Sequence, residues 1–141
     1  MKSPIKKQYP NIQNRFELNP RYTLPDMKNN TVTILGSSVN NERVEKHLQT
    51  VSDVTKHYVE RGYNILHGCG TNGVMGEAYR TAKECSVKDG NNLPIQNLAI
   101  IKEPLWGDED LSNCKIIGKA SSESDRIDKF TKTSNHFVIF P

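Results

Sequence analysis

Apolar positions along this chain fall into short β-branched runs separated by longer amphipathic stretches. The first run, residues 31–38 ("TVTILGSS"), ends in Gly-Ser-Ser and predicts a buried strand closed by a tight turn. Val44, Leu48, Val51, Tyr58 and Val59 then recur at spacings of three, four and seven, which predicts a helix stopped by Gly62. "YNILH", residues 63–67, predicts a second strand that runs directly into a glycine-rich loop. Val74, Ala78, Ala82 and Cys85 form one stripe of a second helix, from about Gly73 to Cys85. "QNLAIIKE" (96–103) predicts a third strand and "KII" (115–117) a weak fourth. Ile127, Phe130 and Thr131 mark a short helix, and "HFVIF" (136–140) a last, buried strand.

Strand and helix alternate through most of this order, which predicts an α/β fold: a Rossmann-like parallel sheet with helices on both faces. Right-handed crossovers place every strand-to-helix loop on one edge of such a sheet, where these folds bind ligands. Residues 1–30 hold four of the seven prolines (Pro4, Pro10, Pro20, Pro25) and little periodicity, and are expected to form an irregular arm. Residues 31–141 are expected to form one Rossmann-like domain.

Composition narrows the function classes. With 141 residues and 35% of them apolar, the chain can build one modest core. The net charge of +3 is mild. The Lys6–Lys7 pair sits in the arm, and no basic stripe interleaved with aromatics points to nucleic acid. Cys69, Cys85 and Cys114 are odd in number and include no C-x-x-C, which fits reduced thiols rather than a disulfide scaffold. No apolar stretch approaches 18 residues, so no membrane partner is expected, and no apolar segment follows the N-terminal lysines. These features predict a cytoplasmic protein.

The chemistry concentrates at Gly68, Gly70, Gly73 and Gly76. "GCGTNG" matches G-x-G-x-x-G between a strand and a helix, the setting in which glycines let backbone N–H groups approach an anion at a helix N-terminus. Thr71 or Asn72 is placed to cap that helix. Asp89 has the spacing of the dinucleotide-binding acid but lies in a loop, and Glu103 lies too far along. No G-K-[ST] follows, so this is not a Walker loop. Close helix–strand packing alone is the competing explanation for the glycines. A second strand end of the same kind, Gly36-Ser37-Ser38, favours an anion site.

"TVTILGSS", "GYNILHGCGTNGVMGEAYRTAKE" and "SDRIDKFTKTSNHFVIFP", in that order, resemble the LOG family, long labelled lysine decarboxylase-like, over residues 31–141. The resemblance implies a dimeric, Rossmann-like phosphoribohydrolase with no cofactor. Its substrate would be AMP or a cytokinin nucleotide, cleaved at the N-glycosidic bond to free base and ribose 5-phosphate. It places the catalytic arginine at Arg126 and the substrate- or phosphate-binding positions at Gly36, Ser37, Ser38, Gly68, Gly70, Thr71, Asn72, Gly73 and Met75. It loosely aligns a substrate-contacting acid with the Asp108–Asp110 run, which otherwise reads as a solvated loop. Three departures stand out. Cys69 replaces a glycine, and Ile127 replaces a lysine. The family's P-G-G-x-G-T-x-x-E, with its catalytic glutamate, would begin at Pro141. As written, the sequence is therefore C-terminally incomplete relative to the family and is expected to be a poor catalyst or a binding module.

Other constellations carry less. His47, His57 and His67 form no H-E-x-x-H and no close Cys/His pair, so no metal site is expected. His136 reads as a satisfied core residue and Trp106 as a loop anchor. Glu123 and Asp125 are expected to pair with Arg126 or with solvent. Without the resemblance, Arg126 itself reads as a surface ion-pair partner.

Overall fold

A computed structural model describes residues 18–141. Five strands, β1 (Thr31–Leu35), β2 (Asn64–His67), β3 (Asn97–Lys102), β4 (Lys115–Ala120) and β5 (His136–Ile139), form one sheet in the order β4-β3-β2-β1-β5. Every pairing is parallel. The chain steps outward from β1 to β4, then returns across the sheet to lay β5 on the far side of β1. The α/β fold class is as the alternation predicts.

The two faces follow from the period-two alternation of the strands. Val32, Ile34 and Ile65 point to one face, against Val51 and Val59 of α3 (Leu48–Glu60) and Val74, Ala78 and Ala82 of α4 (Gly73–Cys85). Leu66, Leu98, Ile100 and Ile117 point to the other, against Phe130 of α5 (Glu123–Thr133). Truncating a ring buried like that of Phe130 to alanine typically costs about 3–5 kcal/mol. Between β3 and β4 no helix intervenes. Leu105 and Leu111 of that long connection cover Ala99, Ile101 and Ile116 instead, together with Cys69 and Cys114.

Local signals explain most boundaries. The helix expected after β1 is broken into α2 (Glu42–Glu45) and α3, although Val44, Val51 and Val59 all turn inward as their spacing predicts. Asn41 caps α2 by accepting the Val44 N–H at 2.9 Å. After α3, Gly62 N–H bonds to Val59 O and Tyr63 N–H to Tyr58 O, the paired C-terminal closure that favours glycine at that position. Ser122 caps α5 through the Asp125 N–H at 3.0 Å.

Four expectations are corrected. Residues 20–29 are not irregular: a 3-10 turn (Pro20–Tyr22) and the short α1 (Pro25–Asn29) lay Tyr22 and Met27 on the α5 side of the core. The rest of the expected arm, residues 1–17 with Lys6–Lys7, lies outside the described residues. β4 runs to Ala120, past the predicted end, because Gly118 and Lys119 keep the extended backbone although they interrupt the apolar run. In α5 the buried positions are Lys129, Phe130 and Thr133, while Ile127 is exposed. Among the described strands β5 pairs only with β1: Phe137 and Ile139 are exposed, and His136 sits at the surface with Nε2 3.1 Å from Asn29 O. Among the described residues, no helix is long and apolar enough to cross a membrane, and no group of three His, Cys, Asp or Glu could hold a metal ion.

Candidate functional site

Four connections meet beyond the C-terminal ends of the strands: β1 to α2, β2 to α4, β3 to β4, and β4 to α5. The first two interlock. Val74 N–H of α4 donates to Ser37 O at 2.8 Å, with Met75 N–H 3.4 Å from the same oxygen. Gly73 N–H donates to Asn40 Oδ1 at 2.8 Å. The opening donors of α4 are thus satisfied by the preceding loop, across a span no local pattern announces. Gly73 has φ +65°, and a Cβ there would collide with the carbonyl oxygens of Ser37 and Val39, so glycine is required.

This corrects the expected caps. Asn72 occupies the N-cap position of α4, but neither its side chain nor that of Thr71 makes a capping hydrogen bond. Thr71 Oγ1 donates to Asp108 O at 2.7 Å, and Asn72 Nδ2 to Asp108 Oδ2 at 2.9 Å. An anion resting on the first turn of α4 would have to displace Ser37 and Asn40. For Gly73, close packing is therefore the better physical explanation.

Behind this interlock lies a buried polar network. Cys69 adopts φ +68°, the strained choice for a residue with a Cβ. Its N–H donates to His67 Nδ1 at 2.9 Å, and its thiol to Asp110 O at 2.9 Å. The Asp110 N–H returns a bond to Cys69 O at 3.1 Å. Because Nδ1 of His67 accepts, Nε2 carries the proton toward Asn97 Oδ1. Burial pulls the His67 pKa down to about 4, against the opposing effect of Asn97, so the ring is neutral. The Tyr79 hydroxyl donates to Asp110, and burial followed by that carboxylate raises its pKa. Burial would raise Asp110, but bonds from Tyr79, Ser112 and Asn113 hold it below the usual carboxylate range. The Asp108–Asp110 run is consequently no solvated loop; it is tied to the glycine loop. Cys114, beside Cys69, has its pKa raised by the bond to that thiol and then by burial.

In front of the network opens a cleft of about 480 Å³, within the range that holds small ligands. Gly36, Ser38, Gly68, Gly70, Met75 and Arg126 line it, with Trp106, Asp108, Glu109 and Glu123. Among the sequence-derived site residues, Ser37, Thr71, Asn72 and Gly73 do not line it; they brace its walls. Arg126, on the first turns of α5, has a side chain only 13% exposed. Its Nη2 donates to both Glu123 oxygens, at 3.0 and 3.1 Å, as expected. Asp125 instead accepts from Lys129 at 2.6 Å. Arg126 Nε is buried and has no hydrogen-bond partner among the described residues. A buried donor of that kind is costly to leave unpaired, and the guanidinium as a whole lines the cleft.

The acids differ in availability. Glu109 is occupied by the N–H groups of Trp106 and Gly107, at 2.9 and 2.8 Å. Glu123 is shared between Arg126 and Lys102, whose Nζ lies 3.9 Å away. Asp108 uses Oδ2 for Asn72. Glu109, not Trp106, anchors its loop: Trp106 is 77% exposed, contrary to expectation.

No family model matches the chain, and no curated protein does. Among solved structures, two of the molybdenum cofactor carrier protein of Chlamydomonas reinhardtii are similar, each with a TM-score of 0.56. They share 20% and 21% identity over 79% of this chain. The likeness is one of fold. This chain spans about three fifths of their length, 62% and 61%.

The sequence signalled the glycine loops and Arg126. It did not single out Trp106 as a cleft residue, and the His67–Asn97 pair was invisible because its members share no motif. The one available signal for Trp106 was its place beside Gly107 in a long, acidic connection after a strand.

Proposed function

We propose that residues 31–141 form the nucleotide-binding domain of a LOG-type phosphoribohydrolase, and that the cleft takes a nucleoside 5′-monophosphate such as AMP. The observation that carries this reading is Arg126: a largely buried guanidinium that Glu123 holds at the lining of a cleft at the C-terminal edge of a parallel sheet. Arg126 supplies the charge-assisted donor for the phosphorylated part of the ligand. Oδ1 of Asp108 is placed to accept ribose hydroxyls, since Oδ2 already serves Asn72. Gly68 and Gly70 let the side chains of Arg126 and Met75 pack close to the floor of the cleft.

Glycosidic cleavage needs a carboxylate to stabilise an oxocarbenium-like state. Among the acids of the cleft, Asp108 is the one with an oxygen to spare, and it would carry that role in turnover by these residues alone. The family resemblance adds a homodimer, which sedimentation tests directly.

Titration calorimetry with AMP, followed by chromatography for free adenine, tests the reading. Saturable heat with adenine release identifies a hydrolase. Heat without release identifies a nucleotide-binding module, and absence of heat rejects the reading. A second reading is carriage of the molybdenum cofactor, favoured by the fold shared with the Chlamydomonas reinhardtii carrier. Failure of AMP to bind, with retention of that cofactor, would establish it instead.

A further inference from the structure

Trp106 is the only tryptophan of the chain, and it stands 77% exposed at the cleft. A large aromatic ring normally buries its area against the core, so one left in solvent at a cleft calls for a physical reason. Its backbone is not loose: the carboxylate of Glu109 takes the N–H groups of both Trp106 and Gly107. The ring is steadied on one side, where Lys102 Nζ lies 5.8 Å from its centroid, a cation–π arrangement. Lys102 in turn reaches Glu123, which holds Arg126. One continuous set of contacts therefore links the indole to the guanidinium of Arg126.

We infer that Trp106 is a stacking platform for the planar ring of the ligand, so that the cleft selects molecules joining an aromatic heterocycle to an anionic group. The inference rests on the nucleotide reading of this cleft and adds the group that reads the base. Stacking is tolerant of which heterocycle is present, because every base offers a π-face. The platform thus predicts preference for a base-bearing nucleotide over a bare sugar phosphate, with weak discrimination between purines. The exposed position also means that substitution leaves the fold intact.

The experiment uses the full chain with AMP and ribose 5-phosphate as probes, followed by calorimetry and by intrinsic fluorescence, which here reports on a single indole. AMP is expected to change Trp106 emission on saturation, and ribose 5-phosphate to leave it unchanged. Trp106→Ala is expected to weaken AMP roughly 5- to 150-fold, the range found when a stacking aromatic is removed, without altering ribose 5-phosphate binding. Trp106→Phe, which keeps a ring, is expected to recover most of the affinity. Calorimetric AMP binding of unchanged strength in Trp106→Ala would overturn the platform and leave the nucleotide reading standing. Absence of AMP binding to the unaltered protein would overturn both.

Discussion

Arg126 rests on Gly68 at a distance no other residue permits: a Cβ on Gly68 would lie 2.6 Å from Arg126 Nη1 and 2.9 Å from Met75 Sδ. A glycine at the end of β2 thus sets the position of an arginine on α5, and the glycine-rich loop gains a role apart from anion binding. The displaced atoms in Gly68→Ala would be the ends of flexible side chains. The fold should therefore lose no more than about 1 kcal/mol, while the guanidinium is pushed off its position. AMP affinity should fall at least about tenfold, the scale of one charge-assisted hydrogen bond. Calorimetry and urea unfolding of the same variant check the two halves.

The buried His67 makes a pH prediction with a definite sign. Its pKa is depressed to about 4 in the folded protein, from 6.5 in the unfolded chain. Between those values the unfolded state binds the extra proton, so stability present above about pH 6.5 is lost as pH falls toward 4. The shift corresponds to about 3 kcal/mol. Urea unfolding at pH 7.5 and pH 4.5 should show a drop of that order, and His67→Gln should remove most of this pH-dependent component.

Cys69 offers a test of backbone strain. A residue with a Cβ at φ +68° costs roughly 1–2 kcal/mol relative to glycine. Glycine costs about 0.5–1 kcal/mol in lost chain entropy. Both Cys69→Gly and Cys69→Ala lose the thiol contact with Asp110 O, but only the alanine variant retains the strain. Cys69→Gly should be the more stable of the two by up to about 1 kcal/mol, as measured by chemical denaturation.

Much of the framework could be read locally. α4 spans Gly73–Cys85 as its apolar stripe predicts, because a helix packed on one face writes its period into the sequence. "HFVIF" forms the strand its pattern predicts, and among the described strands it pairs only with β1. "KII" looked weak because Gly118 and Lys119 dilute a strand whose pairing with β3 is set by partners distant in sequence. Within the site, the glycine loops and Arg126 carried motif-level signals. The capping of α4 by Ser37 and Asn40, the seating of Arg126 on Gly68, and the exposure of Trp106 depend on how separate loops meet, which no local pattern encodes.

The most direct test of the account is the binding of AMP to the protein and to Arg126→Gln, measured by calorimetry with thermal unfolding alongside. Glu123 is largely exposed, so losing its partner should leave the melting transition close to that of the unaltered protein. The account predicts saturable AMP binding that weakens roughly 10- to 150-fold in Arg126→Gln. Equal affinity in the two proteins, or no binding by the unaltered one, would contradict it.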